Sequence, residues 1–570
     1  MGPANPLLRP DGGESLPWIA LVGPEVEENL SLRHLASSVE AGGLRTELYP
    51  FNGPSDLPVL LEALCAEPQP AVAALSLSFQ WRAMDVLALA VALRERGFRG
   101  HVTAGGHFGS FAWDRVLADF AEVDSICRFE SEHTLRELCE RVVAGAEWKR
   151  LPGLALRDEA GSPYLTAPRQ PPDLTSLPWP DRRGPAARCL GHPIAPMIAS
   201  RGCYANCAFC CIATLHRNSS PSQRHRLRPV EDVADEMAWL HRERGVEIFI
   251  FHDDNFFLPR HDDSLRRIEA LGAALEARGV TRFATVVKAR PNDVTEPVFR
   301  AMKERLQLIR LFLGVESTTQ QGCTTLRRGV AASASSEALR TLEALDLYVC
   351  FNMLVFDPDA SVEGLLDNLA FMERHGQHPS NFGRVELYAG TPLLERMQAE
   401  GRAQGDYLGW SYDQATPEMQ RVFELSMRAF YERNFSGRAL ANRLQSTRFD
   451  VEIARHFHPD VFRPAWLQAA RELSRRLAAD SARGVREIVA HVRGHESRDG
   501  DDDLVGQLSA RLRHCESEID RQATSLEREV SQAVGATCDH APVKGIPVVR
   551  RPGDEPRIRE TVAGCGVAAG

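Results

Sequence analysis

The chain has 570 residues, more than one hydrophobic core holds, so two or three domains are expected. Hydrophobic residues make up 44% and charged residues 25%, a soluble globular balance that excludes a wholly disordered, fibrous or multi-span membrane chain. With 67 Lys and Arg against 77 Asp and Glu the net charge is −10, which repels phosphate backbones, so nucleic acid is not expected as a main partner.

The opening MGPANPLLRPDGGESLP is broken by prolines and has no signal-peptide stretch, and Pro6 stands where a myristoylation signal needs Ser or Thr. No apolar run reaches the roughly 18 residues of a membrane span. These features predict a flexible N-terminus over 1–16 and a cytoplasmic protein without a membrane partner. Over 17–146 the apolar runs WIALVG, LRTELYP, AVAALSLSF, GHVTAGG and VDSICRF alternate with helical stretches such as Asn29–Ala41, Arg82–Gly97 and His133–Val143. Strand–helix alternation predicts an α/β fold, here a doubly wound, Rossmann-like (flavodoxin-like) sheet of five strands. Its ligand is expected beyond the carboxyl ends of the strands.

Residues 147–190, with PRQPPDLTSLPWPDRRGP, read as a linker without regular structure. Over 191–400 a second alternation follows, with strands IAPMIAS, VEIFIFH, FATVVKA, LIRLFLGV, LYVCFNMLVF and GRVELYA. Six βα units predict a partial barrel with its site at the carboxyl ends of the strands. A helical domain is expected over 401–494. Residues 495–535 join an exposed acidic break, RDGDDD, to an amphipathic helix striped by Leu504, Leu508, Leu512, Cys515, Ile519, Ala523, Leu526, Val530 and Val534. That stripe either packs on the body of the chain or forms a homodimeric coiled coil. Residues 536–570 read as a disordered tail.

Of 13 cysteines, Cys203, Cys207, Cys210 and Cys211 fall within nine residues, directly after the first barrel strand. A structural zinc site uses four ligands, commonly as two distant CxxC pairs, and no second pair is present. A redox CxxC needs only two thiols. Three thiolates on one loop suit three corners of a [4Fe–4S] cube, leaving one iron free for another ligand. Cys211 either competes as a ligand or is a packed bystander.

The spacing Cys203-x3-Cys207-x2-Cys210, with the aromatic Phe209 before the last cysteine, resembles the radical S-adenosylmethionine (SAM) enzymes. In that family the open iron chelates SAM, and an electron from the cluster breaks the sulfonium bond to give a 5′-deoxyadenosyl radical. An electron donor such as flavodoxin or ferredoxin is implied. His252-Asp253-Asp254-Asn255 lies where the family places a carboxylate on the SAM amino group, although Asp and Asn also cap helices and turns. Arg290 follows the third strand. Gly314-Val315-Glu316-Ser317 resembles the family's G-[IV]-E-S segment, whose Glu helps hold SAM. Phe209, Asp253, Asp254, Arg290, Glu316 and Ser317 are therefore the candidate SAM-binding residues. Tyr388-Ala-Gly-Thr-Pro392 resembles a Y-P-G-T-P turn and is either structural or part of the site.

A Rossmann-like domain before such a barrel, joined by Leu177-Pro178-Trp179-Pro180, resembles the cobalamin-binding (B12-binding) radical SAM class, over roughly residues 17–400. The resemblance makes the fold an N-terminal cobalamin-binding domain, a partial (β/α)6 radical SAM barrel and a helical C-terminal region. Glu27-Glu28-Asn29-Leu30 matches its E-N-L element, with Glu27, Asn29 and Leu30 as candidates; Gly105, Gly106 and His107 its G-G-P-H turn, without the proline; Phe129-Glu130-Ser131-Glu132 its G-E-G-E turn, with both glycines replaced. The D-x-H-x-x-G signature of histidine-ligated cobalamin is absent, so His107 is a poor cobalt ligand. Ser76, Ser78, Gln80, Trp81 and Glu130 complete the candidate cobalamin-binding set, with Phe79–Arg82 passing below the corrin.

The resemblance implies a [4Fe–4S] cluster, SAM and cobalamin as cofactors, and transfer of a methyl group from SAM through methylcobalamin to an unactivated carbon, or phosphorus. The acceptor would be a small molecule or peptide. Related enzymes cyclise or rearrange instead, and a non-catalytic cobalamin or cluster sensor is the remaining alternative. Beyond the cluster ligands no catalytic residue is identified, and no motif names the substrate.

Overall fold

The computed structural model describes residues 17–436 and 439–536. The expected flexible N-terminus, 1–16, lies outside the described residues, as does the expected tail beyond Ala536. In the first domain β1 (Trp18–Gly23), β2 (Arg45–Pro50), β3 (Val72–Ser76), β4 (His101–Gly105) and β5 (Ser125–Cys127) pair in parallel in the order β2-β1-β3-β4-β5. All six residues of β1 are buried, an unalternating run that a sheet covered by helices on both faces demands. The strand order reverses between β1 and β3, and a crevice opens there.

The segment expected to be an irregular linker instead adds two antiparallel strands, β6 (Leu154–Arg157) and β7 (Pro163–Leu165), to this sheet. The reason is local: Asp158 Oδ1 accepts from the backbone of Ala160 and Ser162, and Gly161 takes a positive φ, closing a hairpin that the prolines further on hid from view. The proline-rich remainder is a strap with no long regular element, pinned by the buried Arg182. Its guanidinium donates to Glu28 of the first domain and, at 2.7 Å, to Glu236 of the second.

The second sheet runs β14-β13-β12-β11-β10-β9-β8, formed by β8 (Arg188–Cys189), β9 (His192–Met197), β10 (Ile248–Phe251), β11 (Ala284–Ala289), β12 (Leu308–Glu316), β13 (Val349–Phe356) and β14 (Ser380–Arg384). β9 to β14 are parallel, the six strands of a partial barrel, and β8 is a short antiparallel edge. β14 begins and ends earlier than the run GRVELYA suggests. Past Arg384 the chain leaves the sheet because Gln80 of the first domain takes its backbone: Gln80 Nε2 donates to Leu387 O and Gln80 Oε1 accepts from Ala389 N, both at 2.9 Å.

The region expected to be helical from residue 401 opens instead on an antiparallel hairpin, Ala403–Asp406 with Gly409–Tyr412, closed by the positive-φ Gly405, and then forms helices Pro417–Phe430, Leu440–Phe457, Pro464–Gly494 and Asp501–Val534. The apolar stripe of the last helix is spent inside the molecule. Leu508 and Leu512 join the barrel core, while Ile519, Ala523, Leu526 and Val530 pack with helix Leu440–Phe457 under the barrel. The acidic break is only partly exposed, since Asp501 is buried against Arg421 and His491. Among the described residues no helix is long and apolar enough to cross a membrane.

Candidate active site

After β9 a short hairpin, Ser200–Gly202 with His225–Leu227, frames the cysteine loop, and helix Cys211–Ser219 follows it. Gly202 has φ +87°, and a Cβ there would lie 1.9 Å from Arg224 O, so the loop can start this close to the hairpin only from glycine. Cys203, Cys207, Phe209 and Cys210 line one cavity of about 600 Å³. The loop is held from both sides: Ala208 N donates to Leu326 O and Ala208 O accepts from Leu393 N.

Two guanidiniums face the buried Cys207 sulfur, Arg290 Nη1 at 3.1 Å and Arg328 Nη1 at 3.4 Å. Burial pushes the Cys203 and Cys210 thiols up, a cost that bound thiolates would recover through iron and neighbouring positive charge. Among the described residues no three His, Cys, Asp or Glu side chains converge as one metal ion would require. Three thiols spread along a cavity wall beside two cations fit an anionic iron–sulfur cluster instead. Cys211 starts the following helix rather than lining the cavity, and burial pushes its thiol up to about 11.

The strand-end residues divide by role. Asp253 and Asp254 both line the cavity, but the Asp253 carboxylate is spent on Ala199 N (3.0 Å) and Ser200 Oγ (2.5 Å), tying β10 to β9. Burial pushes it up to about 6. Asp254 accepts from Gly202 N at 2.9 Å and faces His216 at 3.4 Å. Glu316 ends β12 with φ 62°, a left-handed conformation that side chains adopt only under constraint, beside a register shift against β13. Its carboxyl is half-buried on the cavity wall, where desolvation raises its pKa and Arg328 and Arg290 oppose the rise. Arg290 lines the same wall. Ser317 does not: it is buried and bonds Thr319, so it supports the strand end from behind.

A second cavity, of about 530 Å³, lies over the carboxyl ends of β1 to β5. Glu27, Asn29, Leu30, Ser76, Ser78, Trp81, Gly105, Gly106, His107 and Glu130 all line it. Asn29 also caps its helix through Ser31 N and Leu32 N. Gly106 has φ +111°, and a Cβ would lie 2.4 Å from Ser78 Oγ, so the wall stays flat only with glycine. At the turn where the resemblance expects glycine, Phe129 takes φ 62° and donates its N–H to Ser110 Oγ. Gln80 lies outside this cavity, its amide consumed by the 387–389 backbone; the reason is that the turn after β3 docks the two domains there. Gly390 of the Tyr388–Pro392 turn lies against Phe111, so that turn is part of the docking edge.

The two cavities meet. Glu27, His252 and Asp254 line both, and Glu27 and His252 are 3.5 Å apart. Beside this junction Glu130 gathers Arg201 (2.8 Å), Arg226 and His216 (3.3 Å), and His216 reaches on to Asp254. Arg201, His216 and Arg328 carry no spacing signal in the sequence; only distant loops bring them in. Burial lowers the His216 pKa, but the two carboxylates win and raise it to about 9. A raised histidine stabilises the fold fully below its unfolded pKa, near 6.5, and loses that contribution as pH rises through about 9. Wild type is therefore expected to lose up to about 3 kcal/mol more than His216→Gln between pH 6.5 and 9.5, read by urea unfolding. Parallel losses in both proteins would remove the paired-imidazolium assignment.

Inside the barrel, alternate residues of adjacent strands point inward: Ile250 and His252, Val286 and Lys288, Arg310 and Phe312, and Asn352. Asn442, Gln445, Ser446, Phe449 and Asp450 of helix Leu440–Phe457 close this end of the first cavity. Sequence reading left the cap without named residues, because its helix carries no local motif.

Residues 19–139 match the B12 binding domain family and residues 197–369 the Radical SAM superfamily. An uncharacterized methyltransferase of Pyrococcus horikoshii is 26% identical over 322 residues, 56% of this chain and 67% of that protein. An anaerobic magnesium-protoporphyrin IX monomethyl ester cyclase of Synechocystis is 29% identical over 262 residues, 45% of this chain and 50% of that protein. The chain thus spans between half and two thirds of these relatives. The structure of the cobalamin-dependent SAM radical enzyme OxsB with aqua-cobalamin and SAM bound shares the fold, with TM-score 0.64 and 16% identity over 91% of this chain and 84% of that one.

Proposed function

The chain belongs to the cobalamin-dependent radical SAM enzymes, and from that premise we propose that it is a methyltransferase acting on an unactivated carbon, or phosphorus, of a small molecule. The observation that carries this reading is the meeting of the two cavities at Glu27, His252 and Asp254. A group held over β1 to β5 faces the cysteine loop there across a few side chains. When bound, the cluster and SAM supply a hydrogen-abstracting 5′-deoxyadenosyl radical, and cobalamin supplies the methyl group.

The protein's part is holding and shielding. Cys203, Cys207 and Cys210 would hold the cluster, with Arg290 and Arg328 favouring the Cys207 thiolate. Asp254 and Glu316 are the carboxylates that would hold the SAM amino group. Glu27, Asn29, Leu30, Ser76, Ser78, Trp81, Gly105, Gly106, His107 and Glu130 would line the cobalamin. Helix Leu440–Phe457 closes the cavity's far end, which favours a small molecule over a peptide and excludes water during radical transfer. A cytoplasmic location and a flavodoxin- or ferredoxin-type electron donor belong to the same reading.

The test is anaerobic purification with cobalamin supplied, followed by metal analysis and product analysis. About one cobalt and four irons per chain are expected, and S-adenosylhomocysteine should form alongside 5′-deoxyadenosine. 5′-Deoxyadenosine without S-adenosylhomocysteine would favour the alternative of oxidative cyclisation or rearrangement; the Synechocystis relative is named a cyclase. Retained cofactors without SAM cleavage would favour a sensor.

A further inference from the structure

At the floor of the barrel cavity stands a charge that the cofactors do not explain. Arg310 lies on β12 six residues before Glu316, roughly 20 Å deeper at about 3.3 Å per residue. Its side chain lines the cavity, yet the residue is only 7% exposed. Three aromatic rings surround the guanidinium: Phe312 at 4.3 Å, Phe449 at 5.0 Å and Tyr348 at 5.7 Å to the ring centroids. Its one side-chain oxygen partner is Gln445 Oε1 at 3.3 Å, and Nε has no hydrogen-bond partner. Among the described residues no carboxylate comes within ion-pair distance of it. Burial keeps its other polar neighbours, the Tyr348 hydroxyl and the Cys189 and Cys350 thiols, protonated at neutral pH. A desolvated cation without an anion is costly, the rings offset only part of that cost, and an anionic ligand in the cavity would offset the rest.

The surroundings narrow that ligand. Asn352, Asn442, Gln445 and Ser446 line the same end, and Asn352 Oδ1 is buried without a hydrogen-bond partner. The one guanidinium at this end matches the single charge of a carboxylate better than a multiply charged phosphate. Ile194, Ile250, Val286 and Phe351 form apolar walls on the way to the mouth.

We propose that Arg310 anchors the substrate of this enzyme, and that the substrate is an extended monocarboxylic acid: its carboxylate pairs with the Arg310 guanidinium, its apolar body lies along these walls, and its reacting end reaches toward Glu316 and the cysteine loop. The inference rests on the proposed function, because it takes the barrel cavity as the substrate pocket.

The test is binding to the full chain, without turnover. Octanoate, octan-1-ol and inorganic phosphate are titrated into wild type, Arg310→Met and Arg310→Lys, by calorimetry and by thermal unfolding. Octanoate is expected to bind wild type at least tenfold more tightly than Arg310→Met and to raise the wild-type midpoint by several degrees. Arg310→Lys should keep part of that shift, and octan-1-ol and phosphate should produce none. Equal octanoate binding by wild type and Arg310→Met would overturn the anchor. So would an equal shift with octan-1-ol, and a phosphate shift lost in Arg310→Met would overturn the choice of a carboxylate. If Arg310→Met does not fold, Arg310→Lys decides: unchanged octanoate affinity in a folded protein with a point charge in place of the planar fork would count against the pairing. Because no catalysis is measured, loss of this inference leaves the metal content and product analysis untouched, and failure of those leaves the binding result readable.

Discussion

Cys207→Ala is expected to reduce 5′-deoxyadenosine formation from SAM to background, a loss of about three orders of magnitude or more, as when one member of a unit acting together is removed. Cys207 is the most enclosed of the three loop cysteines on the cavity wall, and both arginine contacts to the cluster site converge on its sulfur. Iron content should fall with activity, because two remaining thiolates hold a cube poorly. Cys211→Ala is the matched comparison. Its sulfur lies off the cavity wall, so iron content and SAM cleavage should stay near wild type. Wild-type-like 5′-deoxyadenosine output from Cys207→Ala would end the cluster assignment. Loss of iron in Cys211→Ala would move the fourth cysteine from bystander to ligand.

The second large effect is expected at Glu130. Its carboxylate is buried between the domains, with Arg201 at 2.8 Å, Arg226 bonded, and His216 at 3.3 Å. Burial by itself would raise its pKa; the histidine and the two arginines outweigh burial and hold it well below the usual carboxylate range. A depressed carboxylate contributes stability that is present above its unfolded pKa, near 4.3, and is lost as pH falls through the folded value. Together with the His216 effect, this makes the interdomain network strongest between about pH 4.5 and 6.5. Glu130→Ala leaves buried cations short of a partner and is expected to cost about 3–5 kcal/mol in urea unfolding. Glu130→Gln, which keeps the shape, should cost less and bind cobalamin more weakly than wild type. Wild-type stability in both variants would mean that the network contributes little at the interface.

Much of the site was legible before any coordinates. The Cys203-x3-Cys207-x2-Cys210 loop is a local pattern, so its spacing alone implied three thiols on one wall. Glu316 and Asp254 could be found because they end apolar strands, and the pleat sends strand-end residues to the barrel mouth. The glycines at 105 and 106 announced close backbone approach. Ser317 and Gln80 show the limit of motif reading. Each sits within a resembling segment, yet Ser317 turns behind the strand and Gln80 is claimed by the backbone of a turn some 300 residues away. The hairpin at 154–165 was missed for a different reason: composition counted over the whole stretch outweighed a short turn signal inside it.

The sequence by itself determined the order of domains, the parallel strands and their helices, and the spacing of the cysteine loop, because all of these rest on periods and spacings within a few residues of one another. Tertiary structure alone decided what stands opposite what. It set two guanidiniums, from Arg290 and Arg328, on one sulfur, opened two cavities onto each other at Glu27, His252 and Asp254, and folded the stripe of the last helix inward. It also enclosed Arg310 among aromatic rings beneath a helix 130 residues further along the chain. Contacts between distant segments follow from packing two sheets and their helices against each other, a condition on the whole chain that no local window of residues carries.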